Sequence, residues 1–318
     1  MGNALVDILI RLQSDDLLAE LNFPKGSMQL IDETRLSLIY EKIEGKETTL
    51  MAGGSAANTI AGLARLGNPC GFIGKTGQDA LSDVFFNDMV QCGILPSLLK
   101  NNTPSGRAIA FISPDSERTF GTFLGAAAEL EPDDLLPEMF SGYDFFYIEG
   151  YLVQNHALIE RAVTLAKDAD IRIAIDLASY NVVESNLDFL RHLIQHYAYI
   201  VFANEEEAKA LTGKNPEKAL SEIAGMCEIA VVKVGADGAF IKQKDIFHHV
   251  ATIPAIPVDT TGAGDLYAAG FMHGLSLEKP LPVCGEYGSI LAGNIVEVVG
   301  PKMSDDRWLK ISDEIKKL

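Results

Sequence analysis

Apolar and polar positions along the 318-residue chain alternate between two patterns. Short runs rich in β-branched residues predict strands, and stretches with apolar residues every three or four positions predict helices. The predicted strands are 71–74, 108–113, 145–148, 171–175, 199–202, 229–234 and 239–241. The predicted helices are 55–66, 80–91, 157–169, 186–196, 205–211, 216–226, 263–275 and 284–298. This alternation predicts an α/β fold with a doubly wound, mostly parallel sheet and helices on both faces.

Two segments interrupt this pattern. Residues 10–50 are polar with a short alternating stretch, and residues 104–124 are typical of a hairpin with a turn at 114–117. We expect a main domain of residues 1–9, 51–100 and 125–318, and a small β unit of residues 10–50 and 101–124. This unit is either a lid over a ligand or an edge hairpin without a functional role.

Composition excludes several classes of protein. The chain carries 44 acidic and 26 basic side chains, a net charge of −18, which argues against nucleic-acid binding. No apolar run is long enough to span a membrane, and no secretory signal is visible. The four cysteines form no CxxC motif. We therefore expect reduced thiols and a cytoplasmic protein.

The strongest motif is Asp-Thr-Thr-Gly-Ala-Gly-Asp at 259–265, which leads directly into an apolar helix. Gly262, Ala263 and Gly264 bring unpaired backbone N–H groups to a helix start, where anions bind without a basic side chain. Asp265 would repel a resting phosphate. It is better suited to accept a proton from an attacking hydroxyl.

Two nucleotide motifs can be excluded. A GxGxxG dinucleotide motif that began at Gly262 would have Tyr267 at its third glycine position. A P-loop that ended at Gly74 would have Pro69 in place of its first glycine.

A second glycine motif lies near the start of the chain. Gly53 and Gly54 allow close backbone approach to a ligand, and Asn58 could bond a hydroxylated one, although the segment alone could be an ordinary capped helix. Together with the 259–265 motif, in this order, it resembles the ribokinase-like carbohydrate kinases, the PfkB family. The resemblance covers nearly the whole chain. It implies a ribokinase-like fold with a small β lid.

On the nucleotide side, the resemblance implies that Asp265 is the catalytic base and that residues 262–264 form the anion hole. Asn204 and Glu207 match an Asn-x-x-Glu motif that organises Mg²⁺ and phosphate through water. Asp259 and Thr261 match residues that bind a monovalent cation, usually potassium. Further candidates for contact with ATP are Lys233, Gly235, Gly238 and, in the adenine site, Asn294.

On the acceptor side, the opening Gly-Asn-x-x-x-Asp makes Asn3 and Asp7 ligands of sugar hydroxyls. Gly53, Gly54, Asn58 and Glu149 complete that implied pocket. The family normally has a full strand before this opening, so the resemblance implies an altered sheet edge here.

The spacing of the opening Gly-Asn-x-x-x-Asp is nearer to the adenosine-kinase-like branch than to the ribokinases, and the lid return at 118–120 also resembles that branch. Arg118 is then implied to reach over the ATP phosphates. An apolar wall for a purine could be formed by Met28, Leu30, Phe120 and Phe123.

We therefore expect an ATP-dependent kinase that phosphorylates a primary hydroxyl, converting adenosine to AMP. The alternatives are a ribokinase- or fructokinase-like sugar kinase, or a catalytically silent nucleoside- or sugar-binding protein. ATP, Mg²⁺ and K⁺ are the expected cofactors. The expected partners are small molecules, with no nucleic acid and no membrane, and the chain is a monomer or a homodimer.

Overall fold

The computed structural model describes residues 1–115 and 117–318. Its strands are β1 (Leu5–Arg11), β2 (Met28–Leu30), β3 (Thr49–Gly53), β4 (Cys70–Thr76), β5 (Ile94–Lys100), β6 (Gly106–Ile112), β7 (Arg118–Phe123), β8 (Phe145–Glu149), β9 (Arg172–Asp176), β10 (Ala198–Asn204), β11 (Ile229–Lys233), β12 (Ala239–Gln243) and β13 (Ile246–Val250). Its helices are α1 (Asp16–Glu20), α2 (Glu33–Ile43), α3 (Ser55–Arg65), α4 (Ala80–Gln91), α5 (His156–Asp168), α6 (Tyr180–Ser185), α7 (Leu187–Tyr197), α8 (Glu205–Thr212), α9 (Pro216–Ile223), α10 (Ala263–Ser276), α11 (Leu281–Ile295) and α12 (Asp305–Ile315). Among these described elements, none is a helix long and apolar enough to cross a membrane.

The central sheet has the order β13-β12-β11-β10-β9-β8. Strands β8 to β11 are parallel, and β12 and β13 add an antiparallel edge. Both faces of the sheet are buried. In β11, Ile229 and Val231 join one apolar core while Ala230 and Val232 join the other. This two-sided burial explains the continuous apolar runs in the sequence, and it confirms the predicted mostly parallel sheet with helices on both faces.

A second sheet has the order β2-β7-β6-β1-β3. We call this sheet and its covering helices the lid. The predicted hairpin is present as the antiparallel pair β6 and β7, while Ser116 of its predicted turn lies outside the described residues. The expected boundaries at 9/10 and 50/51 lie inside β1 and β3, because each of these strands continues across its boundary.

One face of the lid sheet has its own apolar core. Helix α2 buries Leu36, Ile39 and Ile43 against this face, which contributes residues such as Ile10 and Phe111. The other face of the sheet carries Asp7 and faces the cleft, because side chains alternate along each strand.

The first two residues join the central sheet to the two-stranded parallel sheet of β4 and β5. The Met1 amine donates to the Tyr147 carbonyl at 2.7 Å, and the Gly2 N–H donates to the Ile73 carbonyl at 3.2 Å. These two bonds connect β8 with β4.

Candidate active site

Four parallel strands end at one edge of the central sheet and bring polar side chains together there. Asp176 ends β9, Asn204 ends β10 and Lys233 ends β11, and Asn204 and Lys233 are register partners. Helix α10 begins at the same edge, and the cavity between these elements measures about 660 Å³. The carboxyl ends of parallel strands are where open α/β sheets bind ligands.

The start of α10 exposes backbone donors to this cavity. Gly262 has a φ of 78°, a left-handed conformation that favours glycine, and it precedes the helix. The Ala263 N–H bonds the Thr260 carbonyl at 3.1 Å. The N–H groups of Gly264 and Asp265 find no acceptor within residues 1–115 and 117–318. They remain available to an anion, with the helix dipole behind them.

Lys233 adds a positive charge beside these donors. A Cβ placed on Gly264 would lie 3.1 Å from the Lys233 Nζ, so the lysine packs directly against the loop. Burial alone would lower the lysine pKa, but the carboxylates of Asp176 and Glu207 outweigh burial and raise it. The ammonium therefore stays charged at neutral pH.

Asp265 is held by two donors from the start of α3. Its Oδ1 accepts from the Ser55 Oγ at 2.7 Å, and its Oδ2 accepts from the Asn58 Nδ2 at 2.9 Å. Burial raises the pKa of the Asp265 carboxyl to about 6, although these two bonds favour the ionised form. A carboxyl with this pKa is ionised at neutral pH and can still accept a proton.

The sequence prediction missed Asp176. Its Oδ2 accepts from the Lys233 Nζ at 3.0 Å, and its side chain lines the cavity. An acidic residue directly after the buried strand at 171–175 was the available signal.

Asn204 and Glu207 form a reciprocal cap on α8. The Asn204 N–H and Nδ2 donate to the two Glu207 carboxylate oxygens at 2.8 and 2.7 Å, and the Glu207 N–H donates back at 2.8 Å. Burial, reinforced by the charge of Asp176, raises the pKa of Glu207. Both residues line the cavity together with Gly235 and Gly238.

Asp7 lies on the cleft side of the lid, and only 8% of the residue is exposed. Its carboxylate accepts no hydrogen bond from the described residues. Burial raises its pKa to about 7 against the opposing effect of the nearby Arg118. A Cβ on Gly53 would overlap this carboxylate, so a larger residue there would displace the Asp7 side chain. Asp7 is therefore a free, buried acceptor for a ligand hydroxyl.

Three other expected acceptor ligands bond to the protein itself. The Asn3 Nδ2 donates to the Glu149 Oε1 at 2.7 Å, and the Ala56 N–H donates to the Glu149 Oε2 at 2.9 Å. Asn58 is bonded to Asp265, as described above. Asn3, Glu149 and Asn58 thus fix the backbone around the site, and their expected contact with a sugar stays a prediction.

Asn294 does not reach the cavity. Its Nδ2 donates to the Ile290 carbonyl of its own helix at 2.9 Å, and its backbone carbonyl accepts from Arg307 of α12 at 2.9 Å. Ser289 and Ala292 are the residues of α11 that line the cavity, because a different helix face points there.

Arg118 pairs with a residue that the sequence did not indicate as its partner. Its Nη2 lies 3.0 Å from the Asp259 Oδ2, and Arg118 is absent from the described residues that line the cavity. Arg118, which we expect to contact phosphate, is therefore paired with Asp259, which we expect to bind a cation.

Only part of the expected purine wall faces the cleft. Met28 and Phe120 are register partners, and Leu30 pairs with Thr122 on the same face. Met28 and Leu30 are 53% and 60% exposed. Phe123 points into the lid core because it is one position out of phase with Phe120 and Thr122.

Comparisons with known proteins identify the family of the chain. The family model described as pfkB family carbohydrate kinase matches residues 26–307. The chain is 25% identical to the adenosine kinase of Saccharomyces cerevisiae over 96% of both chains. The structure of adenosine kinase from Sinorhizobium meliloti is 32% identical with a TM-score of 0.88, covering 98% of this chain and 97% of that one. The probable sugar kinase from Rhizobium etli CFN 42 is also 32% identical with a TM-score of 0.88, covering 99% and 96%.

Proposed function

The chain belongs to the pfkB family of carbohydrate kinases, phosphotransferases that act on hydroxyl groups, and we propose that it transfers the γ-phosphoryl group of ATP to the 5′-hydroxyl of adenosine. The observation that carries the proposal is the position of Asp265. Its carboxylate stands at the start of α10, next to the unpaired N–H groups of the loop and to the Lys233 ammonium. A base and an anion site within one turn of helix suit phosphoryl transfer to an alcohol.

In this mechanism, Asp265 orients the acceptor hydroxyl and takes its proton. Ser55 and Asn58 hold the carboxylate in place and keep its pKa low enough for it to be ionised at neutral pH. The N–H groups of Gly264 and Asp265 face the charge that develops on the transferred phosphoryl group. The lid excludes water, which would otherwise compete with the acceptor.

The nucleotide phosphates would lie against Lys233, Gly235 and Gly238 in the cavity. Asp176, Glu207 and Asp265 bring carboxyl groups to a cavity where Lys233 is the one basic side chain among the described lining residues. Each of their oxygens already accepts a hydrogen bond from the protein, so these residues would hold Mg²⁺ through its water ligands. When bound, the metal would neutralise charge on the phosphates.

The acceptor side favours a nucleoside. Asp7 offers a free carboxylate for ribose hydroxyls, and the exposed side chains of Met28 and Leu30 give the lid an apolar face that suits a purine. The adenosine kinases among the relatives support the same choice. A free sugar is the second candidate, favoured by the equally similar probable sugar kinase.

The test is turnover of purified protein with Mg-ATP, measured as ADP released with adenosine, other nucleosides, ribose and fructose. We expect adenosine to give the highest kcat/KM. Asp265→Ala should lower kcat by about 10²–10⁴-fold, the usual contribution of a general base, and leave adenosine binding within about threefold by calorimetry. Near wild-type turnover by this variant would exclude Asp265 as the base. A sugar with a higher kcat/KM than adenosine would establish the second candidate.

A further inference from the structure

A buried ion pair joins the lid to the loop at the start of α10. The Arg118 Nη2 on β7 lies 3.0 Å from the Asp259 Oδ2, and the two side chains are 6% and 9% exposed. The Gly300 N–H donates to the same carboxylate at 2.8 Å, and the Thr261 N–H donates to its other oxygen at 2.9 Å. The carboxylate is therefore surrounded by one full positive charge and two backbone donors.

This arrangement does not fit the monovalent cation implied at Asp259 and Thr261. A metal cation is bound through free oxygen lone pairs, whereas each oxygen of Asp259 already accepts a backbone N–H and the guanidinium lies against one of them. The guanidinium also supplies the positive charge that a cation would bring. A second positive charge beside it would be repelled, and burial strengthens that repulsion.

We propose that the Arg118 guanidinium replaces the monovalent cation and acts as a positioning residue for the 259–265 loop. Asp259 is the first residue of the loop and Asp265 the last, so a neutralised and fixed Asp259 anchors the segment that presents the amide donors. Arg118 belongs to the lid, whereas a free ion would not. The position of the lid and the conformation of the anion loop are consequently coupled.

Removal of the guanidinium would leave Asp259 as a buried charge without compensation, which is destabilising. It would also leave room for an added cation to bind beside Asp259.

The first test is thermal unfolding of the full chain without nucleotide, in choline chloride and in potassium chloride at equal ionic strength. The wild-type midpoint should agree within about 1 °C between the two salts. The Arg118→Met midpoint should fall by about 5 °C or more in choline and rise with potassium concentration.

Arg35→Met is the matched control. This lid arginine donates to the Leu21 and Asn22 carbonyls, lies over the Phe23 ring and makes no contact with the 259–265 loop. Its loss should give no potassium response. If Arg118→Met does not fold, the variants Arg118→Lys and Asp259→Asn test the proposal instead. Arg118→Lys keeps the positive charge beside Asp259, and Asp259→Asn removes the negative charge that has to be neutralised. Both should be insensitive to potassium.

The second test is kinetic and rests on the proposed kinase activity. Wild-type kcat should be the same within about twofold in choline and potassium salts. Arg118→Met should lose about tenfold or more in choline and recover part of it in potassium. A wild-type kcat that rises tenfold with potassium would overturn the proposal. A thermal unfolding midpoint of Arg118→Met that does not change with potassium concentration would also overturn it. If no acceptor is turned over, the proposed function fails, and the thermal test still decides the role of Arg118.

Discussion

The hydrogen bond from Ser55 to Asp265 offers a direct test of the proposed base. Ser55→Ala removes the donor that lies 2.7 Å from the Asp265 Oδ1. This bond stabilises the ionised carboxylate, so its loss must raise the pKa of Asp265 above the value of about 6. Hydrogen bonds to charged groups contribute about 1.5–3 kcal/mol, and 1.36 kcal/mol corresponds to one pKa unit. Because water can replace part of the bond, we expect the acid limb of the kcat profile to move up by about one pH unit.

The direction in which the acid limb moves follows from the role of Asp265 as the base. Asp265 must be ionised to accept a proton, so turnover is lost as the pH falls through its pKa, and the variant should lose it earlier than the wild type. The assay is kcat at saturating Mg-ATP and adenosine from pH 5 to 9, with ADP quantified directly by chromatography. At pH 8 the two enzymes should have similar kcat values.

Ser221→Ala provides the control, because this exposed serine bonds Glu217 and Lys242 far from the site. Two other carboxyl groups could produce an acid limb, since burial also raises the pKa values of Asp7 and Glu207. An unmoved limb in Ser55→Ala, with thermal stability retained, would assign the limb to one of these groups and refute the assignment of Asp265 as the base.

Three further predictions follow from contacts in the site. Lys233→Met should raise the KM for ATP by about 10–100-fold and leave the adenosine KM nearly unchanged, because the ammonium packs against the anion loop. Equal increases of both KM values in steady-state kinetics would contradict a role of Lys233 in binding ATP. Glu149→Ala should lower the free energy of unfolding by about 2–4 kcal/mol in urea denaturation, since Asn3 and Ala56 lose a buried acceptor; an unchanged midpoint would contradict this support role. Removal of divalent metal with EDTA should abolish turnover and added Mg²⁺ should restore it, and metal-free turnover above about 1% of the full rate would refute the metal site at Asp176 and Glu207.

Local patterns in the sequence predicted the central sheet and its helices well, because both faces of β8 to β11 are buried and produce continuous apolar runs. The same method missed α2, whose three buried residues are spaced among charged ones in a polar segment. It also missed Asp176, since one acidic residue after a strand is a weak signal without its partner Lys233.

Long-range pairing explains the other differences. Asn3 and Glu149 bond each other across 146 positions, and no local spacing can reveal that two polar residues satisfy one another. The Arg118–Asp259 pair is of the same kind. Sequence motifs identified both residues as functional, but only the fold shows that the two side chains meet.

The separate apolar core of the lid has a mechanical consequence. Ile10, Ile39 and Phe111 pack within the lid and belong to neither core of the central sheet. We therefore expect the lid to move as one unit without exposing this core, with Val6 and Ala52, which pack in the main core, limiting the movement. The free energy cost of opening then comes from the contacts between the lid and the main domain. Hydrogen exchange should accordingly separate two events, with slow exchange inside β6 and faster exchange at the cleft.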